Sequence, residues 1–429
     1  MTTKEQNELL TRTDKGTPMG ELFRQYWIPA LHADELPEND CPPVRVKLLG
    51  EKMVAFRDTE GRYGLIDEFC PHRLASLYFG RNEDCGLRCS YHGWKFDVEG
   101  NCTEIPSDPD KEDFRKTLKL KSYPLIKVGD ILWTHMGDAE NRPPEPAWEF
   151  CTVAPEQTVA TKRLQECNWL QALEGGIDSS HVSFLHSMEL ERDPLFRGSK
   201  GNKYNLGDLR PVFEVTPSAG GLYIGARRKV ENGKNYWRVT QYVMPCFTMI
   251  PPRGDHPQHG HFWVPIDDEN CMTWSYDYHS QRPLTFEERK ACLDGKGVHV
   301  AVIPDGSFRP LQNKDNDYLI DREAQRRGET FSGVKGFGMQ DASLQESMGP
   351  IVDRSNENLV PTDKGIVMTR NMLTKAAEAL RDKGTMPPGR EPEHQKVRSV
   401  SIVLEPDLNY ADACKDEMVA GEGKARVSV

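Results

Sequence analysis

Two short runs constrain this chain more than anything else in it: Cys70-Pro71-His72 and, after sixteen further residues, Cys89-Ser90-Tyr91-His92-Gly93-Trp94. A Cys-x-His pair followed by a Cys-x-x-His pair supplies two thiolates and two imidazoles on two short loops. That is the donor set of a [2Fe–2S] centre in which one iron takes both cysteines and the other both histidines. Neutral imidazole in place of thiolate raises the reduction potential well above that of an all-cysteine cluster. Any fold of this chain must therefore bring two loop tips together, and the flanks are suited to it. Val54-Ala55-Phe56-Arg57 and Tyr63-Gly64-Leu65-Ile66-Asp67 surround the turn Asp58-Thr59-Glu60-Gly61 and read as a β-hairpin leading into the first loop. Lys95-Phe96-Asp97-Val98 with Glu99-Gly100 reads as a strand and turn after the second, and Gly80, Gly86 and Gly93 allow close backbone approach.

Two other readings compete. Zinc also takes Cys2His2 sets, and Cys89 with His92 resembles half of one, but a one-residue gap is shorter than the usual two to four of a zinc knuckle. Alternatively these are ordinary buried Cys and His side chains. Four donors in this order, with Pro71 beside one pair and Gly93 closing the other, favour the imidazole–thiolate cluster, a Rieske centre. Cys85 lies four residues before Cys89 and is read as structural, because a fifth donor would break the two-by-two pairing. The nine cysteines other than Cys70 and Cys89 lack paired spacing and read as free thiols of a reducing compartment.

The chain is long enough, at 429 residues, for two or three domains, and its formal net charge of −11 disfavours nucleic-acid binding, which needs a basic face. It has no apolar run of about eighteen residues and no apolar segment near its N-terminus, so a cytoplasmic protein without a membrane span is expected. Residues 1–40 read as a helical lead packing on the catalytic domain, with Pro18 to Trp27 as its periodic core. Residues 41–140 read as the cluster domain, ending before the linker Asn141-Arg142-Pro143-Pro144-Glu145-Pro146. Residues 141–429 read as a second domain, with helix over about 168–186, strand-like runs at 222–226, 236–243, 261–265 and 272–276, and helices from Thr285 to Gly295 and Asp363 to Lys383. Thr285 with Glu288 has the form of a capping box. The last dozen or so residues read as frayed.

A one-electron centre needs an acceptor. His181 and His186 are five residues apart, which on a regular helix leaves them about 140° apart after about 500° of rotation. Taken alone the pair reads as structural, unless the helix ends or bulges between them. A mononuclear iron held by two histidines and a carboxylate, with positions left open for O2, is a common acceptor. The carboxylate is expected from Gln340-Asp341-Ala342-Ser343-Leu344-Gln345-Glu346, after the glycine-rich approach Gly333 to Gly338. Asp341 is the first choice and Glu346 the second.

These motifs together, C-P-H-R, C-x-Y-H-G-W, D-x-x-H-x4-H and Q-D-x4-E, resemble the oxygenase (alpha) component of Rieske non-haem iron aromatic ring-hydroxylating oxygenases over essentially the whole chain. Asn168 to Ser179 and Ser347 to Ser355 resemble the phthalate dioxygenase branch. Respiratory Rieske carriers have an extra cysteine in each loop, joined as a disulfide; Arg73-Leu74-Ala75 and Ser90-Tyr91 stand there instead and point away from that type. The resemblance implies an α+β architecture: an all-β Rieske domain followed by a helix-grip catalytic domain with a central antiparallel sheet. It implies a cluster held by Cys70, His72, Cys89 and His92, and Fe(II) held by His181, His186 and Asp341. It also implies that Asp178 bridges a Rieske histidine of a neighbouring subunit to an iron-binding histidine. Further implications are O2 as co-substrate, electrons from NAD(P)H through a separate flavin and iron–sulfur reductase, and a homo-oligomer built from trimers, three chains or a stack of six.

The expected reaction is cis-dihydroxylation of an aromatic carboxylate, a phthalate isomer or a meta-substituted benzoate. O-demethylation of a methoxy-aromatic acid by a monooxygenase is the alternative, and a non-catalytic electron carrier the reading from another class. A carboxylate substrate calls for arginine, whose planar fork matches it. Arg210, Arg227 and Arg228 are the candidates, with strand alternation turning only one of Arg227 and Arg228 inward. Ser179 and Ser180 flank Asp178 and can add a hydrogen bond.

Overall fold

The computed structural model describes residues 2–108, 112–421 and 428–429. Of the C-terminal stretch read as frayed, residues 422–427 lie outside the described residues. The chain divides into two compact units, Phe23–Glu145 and Met1–Leu22 with Pro146–Val429. The helical reading of Pro18 to Trp27 holds only to Phe23. Trp27–His32 is instead a strand paired with Ile131–His135, its register shifting between Pro29 and Leu31. Proline inside a helix removes a hydrogen bond and clashes with the preceding turn, whereas a strand bulge tolerates it.

The first unit is all-β apart from short helical turns. Trp27–His32, Ile131–His135 and Leu125–Val128 form a three-stranded sheet. The expected hairpin is Glu51–Arg57 with Tyr63–Asp67, extended by Val44–Leu48 and Ser122–Tyr123. A third sheet holds Arg81–Glu83, Gly86–Arg88, Lys95–Phe96 and Cys102–Glu104. Cys85 sits in its first turn, where Asp84 and Cys85 both have positive φ, 48° and 60°. That is the geometry of a tight two-residue hairpin.

The second unit is built on an antiparallel sheet: β1 (Thr158–Gln165), β2 (Val212–Pro217), β3 (Gly221–Lys229), β4 (Asn235–Val243), β5 (Phe247–Ile250), β6 (Gln258–Pro265), β7 (Cys271–Tyr278) and β8 (Val400–Leu404). The order is β1-β7-β6-β5-β4-β3-β2, with β8 pairing the first half of β4 beyond the end of β5. β4 and β6 are buried along their whole length, and their sequences show no regular polar–apolar alternation. One face of β6 carries Phe262, which packs with Trp148, Phe150 and Phe247; the other carries His259, His261 and Trp263, which line a cavity. The longer helices that follow the first strand are α1 (Trp169–Ile177), α2 (Lys200–Gly207), α3 (Phe286–Leu293), α4 (Phe337–Ser347) and α5 (Lys364–Lys383). α3 begins at the expected Thr285–Glu288 capping box, and α5 ends at Gly384, left-handed at φ 64°. Close approach fixes Gly176 of α1: a Cβ there would lie 2.8 Å from the Trp263 ring.

A buried ionic network anchors α1 to α5. The Glu174 carboxylate accepts from Arg354 Nε and Nη2 at 3.2 and 3.1 Å and from Arg370 Nε at 2.6 Å; Arg370 also pairs with Glu357. Burial opposes ionisation of Glu174, but the two guanidinium groups outweigh it and hold its carboxyl below the usual range. A depressed carboxyl value contributes stability that is complete above the unfolded-state value of about 4.3 and disappears as pH falls through the folded-state value. Glu174→Gln is therefore expected to cost about 3 kcal/mol at pH 7, since two buried cations lose their shared partner. The deficit should shrink in acid; thermal melts of both proteins from pH 7 to pH 3 would show it, and parallel curves would refute it.

Candidate metal centres and the cavity beside one of them

The two short loops of the first unit are built alike. In each, the N–H of the cysteine donates to the carbonyl five residues on (Cys70 to Ala75, 2.9 Å; Cys89 to Trp94, 2.8 Å). The cysteine carbonyl accepts from the residue four on (Leu74 and Gly93, both 2.9 Å). That fourth residue has positive φ in both loops, 58° at Leu74 and 79° at Gly93. Cys70 and Cys89 are buried in the hydrophobic core with Leu77, Leu87 and Phe96, whereas His72 is exposed and His92 partly so. The imidazoles lie against each other with centroids 4.4 Å apart, and Trp94 stacks on His72 at 4.6 Å. Thiols inside and imidazoles outside suit a cluster with one iron on each pair. Burial, then the neighbouring Cys89, pushes the Cys70 thiol up to about 12. Two thiolates side by side in an apolar core need a cation between them, so the donors fit such a cluster.

In the second unit α1 stops at Ile177, short of the helix read to 186. Gly175-Gly176 weakens its last turn, and Asp178 is extended (φ −83°, ψ 120°). The Asp178 carboxylate then organises the next turn: Oδ1 accepts from the N–H of Ser180 at 2.6 Å, and Oδ2 from the N–H and Nδ1 of His181 at 3.3 and 3.2 Å. His181–Ser183 is a single 3-10 turn. With the helix ended, the 140° separation no longer applies, and the Nε2 atoms of His181 and His186 lie 3.1 Å apart. Asp341 Oδ1, from the first turns of α4, is 3.4 and 3.1 Å from them.

The hydrogen-bond partners show what this group is for. Asp178 can only accept, so His181 carries its proton on Nδ1. Gln340 donates Nε2–H to Val334 O (3.0 Å), which turns its Oε1 toward His186 Nδ1 (2.8 Å) and places that proton too. Both Nε2 lone pairs and a carboxylate oxygen then face one another with no proton between them. Three converging acceptors fit a cation, and separations near 3 Å are those of adjacent corners around an ion with bonds of about 2.1 Å. Glu346 is occupied elsewhere, accepting from the N–H of Glu166 (3.1 Å) and the Tyr318 hydroxyl (2.7 Å).

The group opens on a cavity. Ile250, Val298, Phe196 and Phe337 supply apolar wall; Arg238, Arg253, His259 and His261 supply polar groups. Arg238 and Arg253 are 2 and 4% exposed, and among the described residues neither has a carboxylate within ion-pair distance. Arg238 Nη1 donates to Ser179 Oγ at 3.4 Å; Arg253 Nη1 donates to Asn202 Oδ1 at 2.5 Å, while its Nε has no partner. Burial, and then the charge of Arg238, pushes the Arg253 guanidinium down to about 9. Two buried guanidinium groups with no carboxylate in ion-pair contact among the described residues give this wall of the cavity groups that can pair with an anion.

The arginines singled out in the sequence are not the ones that line this space. Arg210 is exposed. Arg227 turns to the other face of β3, 3.4 Å from Glu214 and over the Trp237 ring. Arg228 does turn inward, fully buried, but donates to the carbonyls of Ser179 and Asp208, both at 3.0 Å, bracing the metal-site turn from behind. Ser179 lines the cavity and Ser180 does not. Arg238 carried a signal that was passed over: a lone charge in the apolar run Tyr236-Trp237-Arg238-Val239-Thr240. His259 and His261, two residues apart in a strand, carried another.

Residues 26–124 match the Rieske [2Fe-2S] domain family and residues 134–410 the LigXa C-terminal domain like family. The chain is 38% identical to the 3-chlorobenzoate-3,4-dioxygenase oxygenase subunit of Comamonas testosteroni, covering 89% of this chain and 90% of that one. It is 36% identical to the phthalate 4,5-dioxygenase oxygenase subunit of Pseudomonas putida, covering 96 and 94%. The fold is similar to that of dicamba monooxygenase bound to 3,6-dichlorosalicylic acid, with a TM-score of 0.59 at 16% identity over 84% of this chain and 99% of that one.

Proposed function

Because the chain belongs to the Rieske non-haem iron oxygenases, in the branch of the chlorobenzoate and phthalate dioxygenase oxygenase subunits, we propose that it cis-dihydroxylates an aromatic carboxylate. A Rieske [2Fe–2S] cluster and a mononuclear iron supply one-electron transfer and O2 activation. In this reading Cys70, His72, Cys89 and His92 hold the cluster, and His181, His186 and Asp341 hold the iron. The observation that carries the substrate class is the pair of buried, uncompensated cations, Arg238 and Arg253, beside the three metal-binding side chains. They orient the carboxylate of the substrate, and Ile250, Val298 and Phe337 receive its ring and keep water from it. Asp178 fixes the His181 ring. Its side chain is 22% exposed, so it can also accept from a histidine of a neighbouring copy, as a trimer would arrange. No helix among the described residues is long and apolar enough to cross a membrane. A separate flavin and iron–sulfur reductase, fed by NAD(P)H, is the partner that completes turnover.

The test is a panel of phthalate isomers, meta-substituted benzoates and methoxybenzoates, supplied with electrons under 18O2 and scored by product mass. Two labelled atoms on the ring support dioxygenation. Loss of formaldehyde from a methoxy acid would identify a demethylase, and no product from any aromatic acid would refute the reading. With the true substrate, Arg238→Leu is expected to raise KM about 50-fold, the equivalent of a charge-assisted hydrogen bond of roughly 2 kcal/mol. Arg238→Lys should recover part of it. An unchanged KM would remove Arg238 from the carboxylate site.

A further inference from the structure

The two imidazoles that face Asp341 are supported differently. The His181 Nδ1–H donates to a carboxylate, Asp178, at 3.2 Å, whereas the His186 Nδ1–H donates to a neutral carboxamide, Gln340, at 2.8 Å. Gln340 is fully buried, and its amide cannot turn over without facing its NH2 toward His186 and its oxygen toward the Val334 carbonyl. Val334 is itself 3% exposed and accepts a second, longer bond from Thr330 at 3.4 Å. Phe337, one turn before Gln340's neighbours on α4, stacks on the His186 ring at 4.3 Å and fixes its plane. A backbone carbonyl thus dictates an amide orientation, the amide dictates a tautomer, and the tautomer leaves Nε2 unprotonated and aimed at the metal.

We propose that Gln340 is a positioning residue for the mononuclear iron: its carboxamide, locked by Val334 O, holds His186 as the Nδ1–H tautomer and makes it the less electron-rich of the two imidazole ligands. The proposal rests on the iron site described above. The difference between the supports has a chemical consequence. A carboxylate acceptor pulls its N–H proton harder and makes the far nitrogen a stronger donor, so His181 is the strong ligand and His186 the weak one. It also limits charge. Asp178 and Asp341 already balance a divalent ion, and an amide at position 340 adds none.

The test uses full-length protein with its cluster intact and the mononuclear metal removed, reloaded with Fe(II) against a chelator of known affinity, or with Cu(II) for pulsed EPR of the uncoordinated histidine nitrogens. Wild-type protein should show two classes of remote nitrogen. Gln340→Met, matched in length but without the amide, is expected to bind Fe(II) about 10–100-fold more weakly, the usual effect of losing an outer partner of a ligand. It should shift one nitrogen class and leave the other. Gln340→Glu should keep Fe(II) affinity within a few-fold and shift that same class toward the other. Fe(II) affinity of Gln340→Met within twofold of wild type, or two unshifted classes in either variant, would overturn the proposal. Should Gln340→Met fail to fold, Gln340→Glu decides alone by the nitrogen shift. A chain whose wild type takes up no Fe(II) at this site would instead refute the iron site on which the proposal rests.

Discussion

Asp341→Ala should give a protein that keeps its cluster, loses the third of about three irons per chain and forms no product. The loss should exceed the about 10–100-fold that removal of an outer hydrogen-bond partner costs, because a donor atom itself is gone. The fold should survive. The thermal midpoint of metal-loaded wild type is expected to stand above that of Asp341→Ala, which lacks the bound ion that adds binding free energy to the folded state. Iron analysis, the cluster absorption spectrum and two melting curves check this. Three irons in the variant would mean that another side chain completes the site. About two irons in the wild type would instead identify an electron carrier.

Asp178→Asn is the second large effect, and of a different kind. Asparagine keeps an oxygen for the N–H of Ser180 and costs little local structure, so the cluster should remain and the iron site should fill when Fe(II) is supplied in excess. What disappears is the negative charge to which His181 Nδ1–H donates. Product formation is expected to fall about 10–100-fold. If Asp178 also accepts from a cluster histidine of a neighbouring copy, the step lost is electron delivery. A sample with pre-reduced cluster, mixed with substrate and O2, should then show slowed cluster reoxidation at full iron content. Unchanged reoxidation with unchanged turnover would end the bridging role; unchanged reoxidation with slowed turnover would leave Asp178 as support for His181 alone.

The cluster motif was legible because its donors are close in sequence: two turns fix them, and little long-range structure is needed. The hairpins, the strands at 222–278 and the helix from Thr285 were legible for the same local reasons. The histidine pair was legible as residues but not as geometry, since whether His181 and His186 converge depends on where α1 ends, and Gly175-Gly176 marks that only weakly. The arginines that line the cavity differ from those the sequence pointed to for a physical reason. β4 is buried on both faces, so polar and apolar residues do not alternate along it and Arg238 gives no face to read. Arg227 and Arg228 drew notice as a cluster, yet strand geometry sends one to Glu214 and the other behind the metal-site turn. Gln340 had no signature, because an amide acting through a histidine leaves no ligand spacing.

The two-sided sheet has a consequence for how such a protein diversifies. On β6, Phe262 belongs to the aromatic packing behind the sheet, while its neighbours His261 and Trp263 face the cavity. Residues that line the cavity and residues that pack behind the sheet therefore alternate along the same strand. Substitutions at every second position can remodel the cavity with the packing layer untouched. Exchange of His259 or His261 therefore changes the cavity wall, while Phe247, Phe262 and Tyr276 hold the aromatic layer behind it.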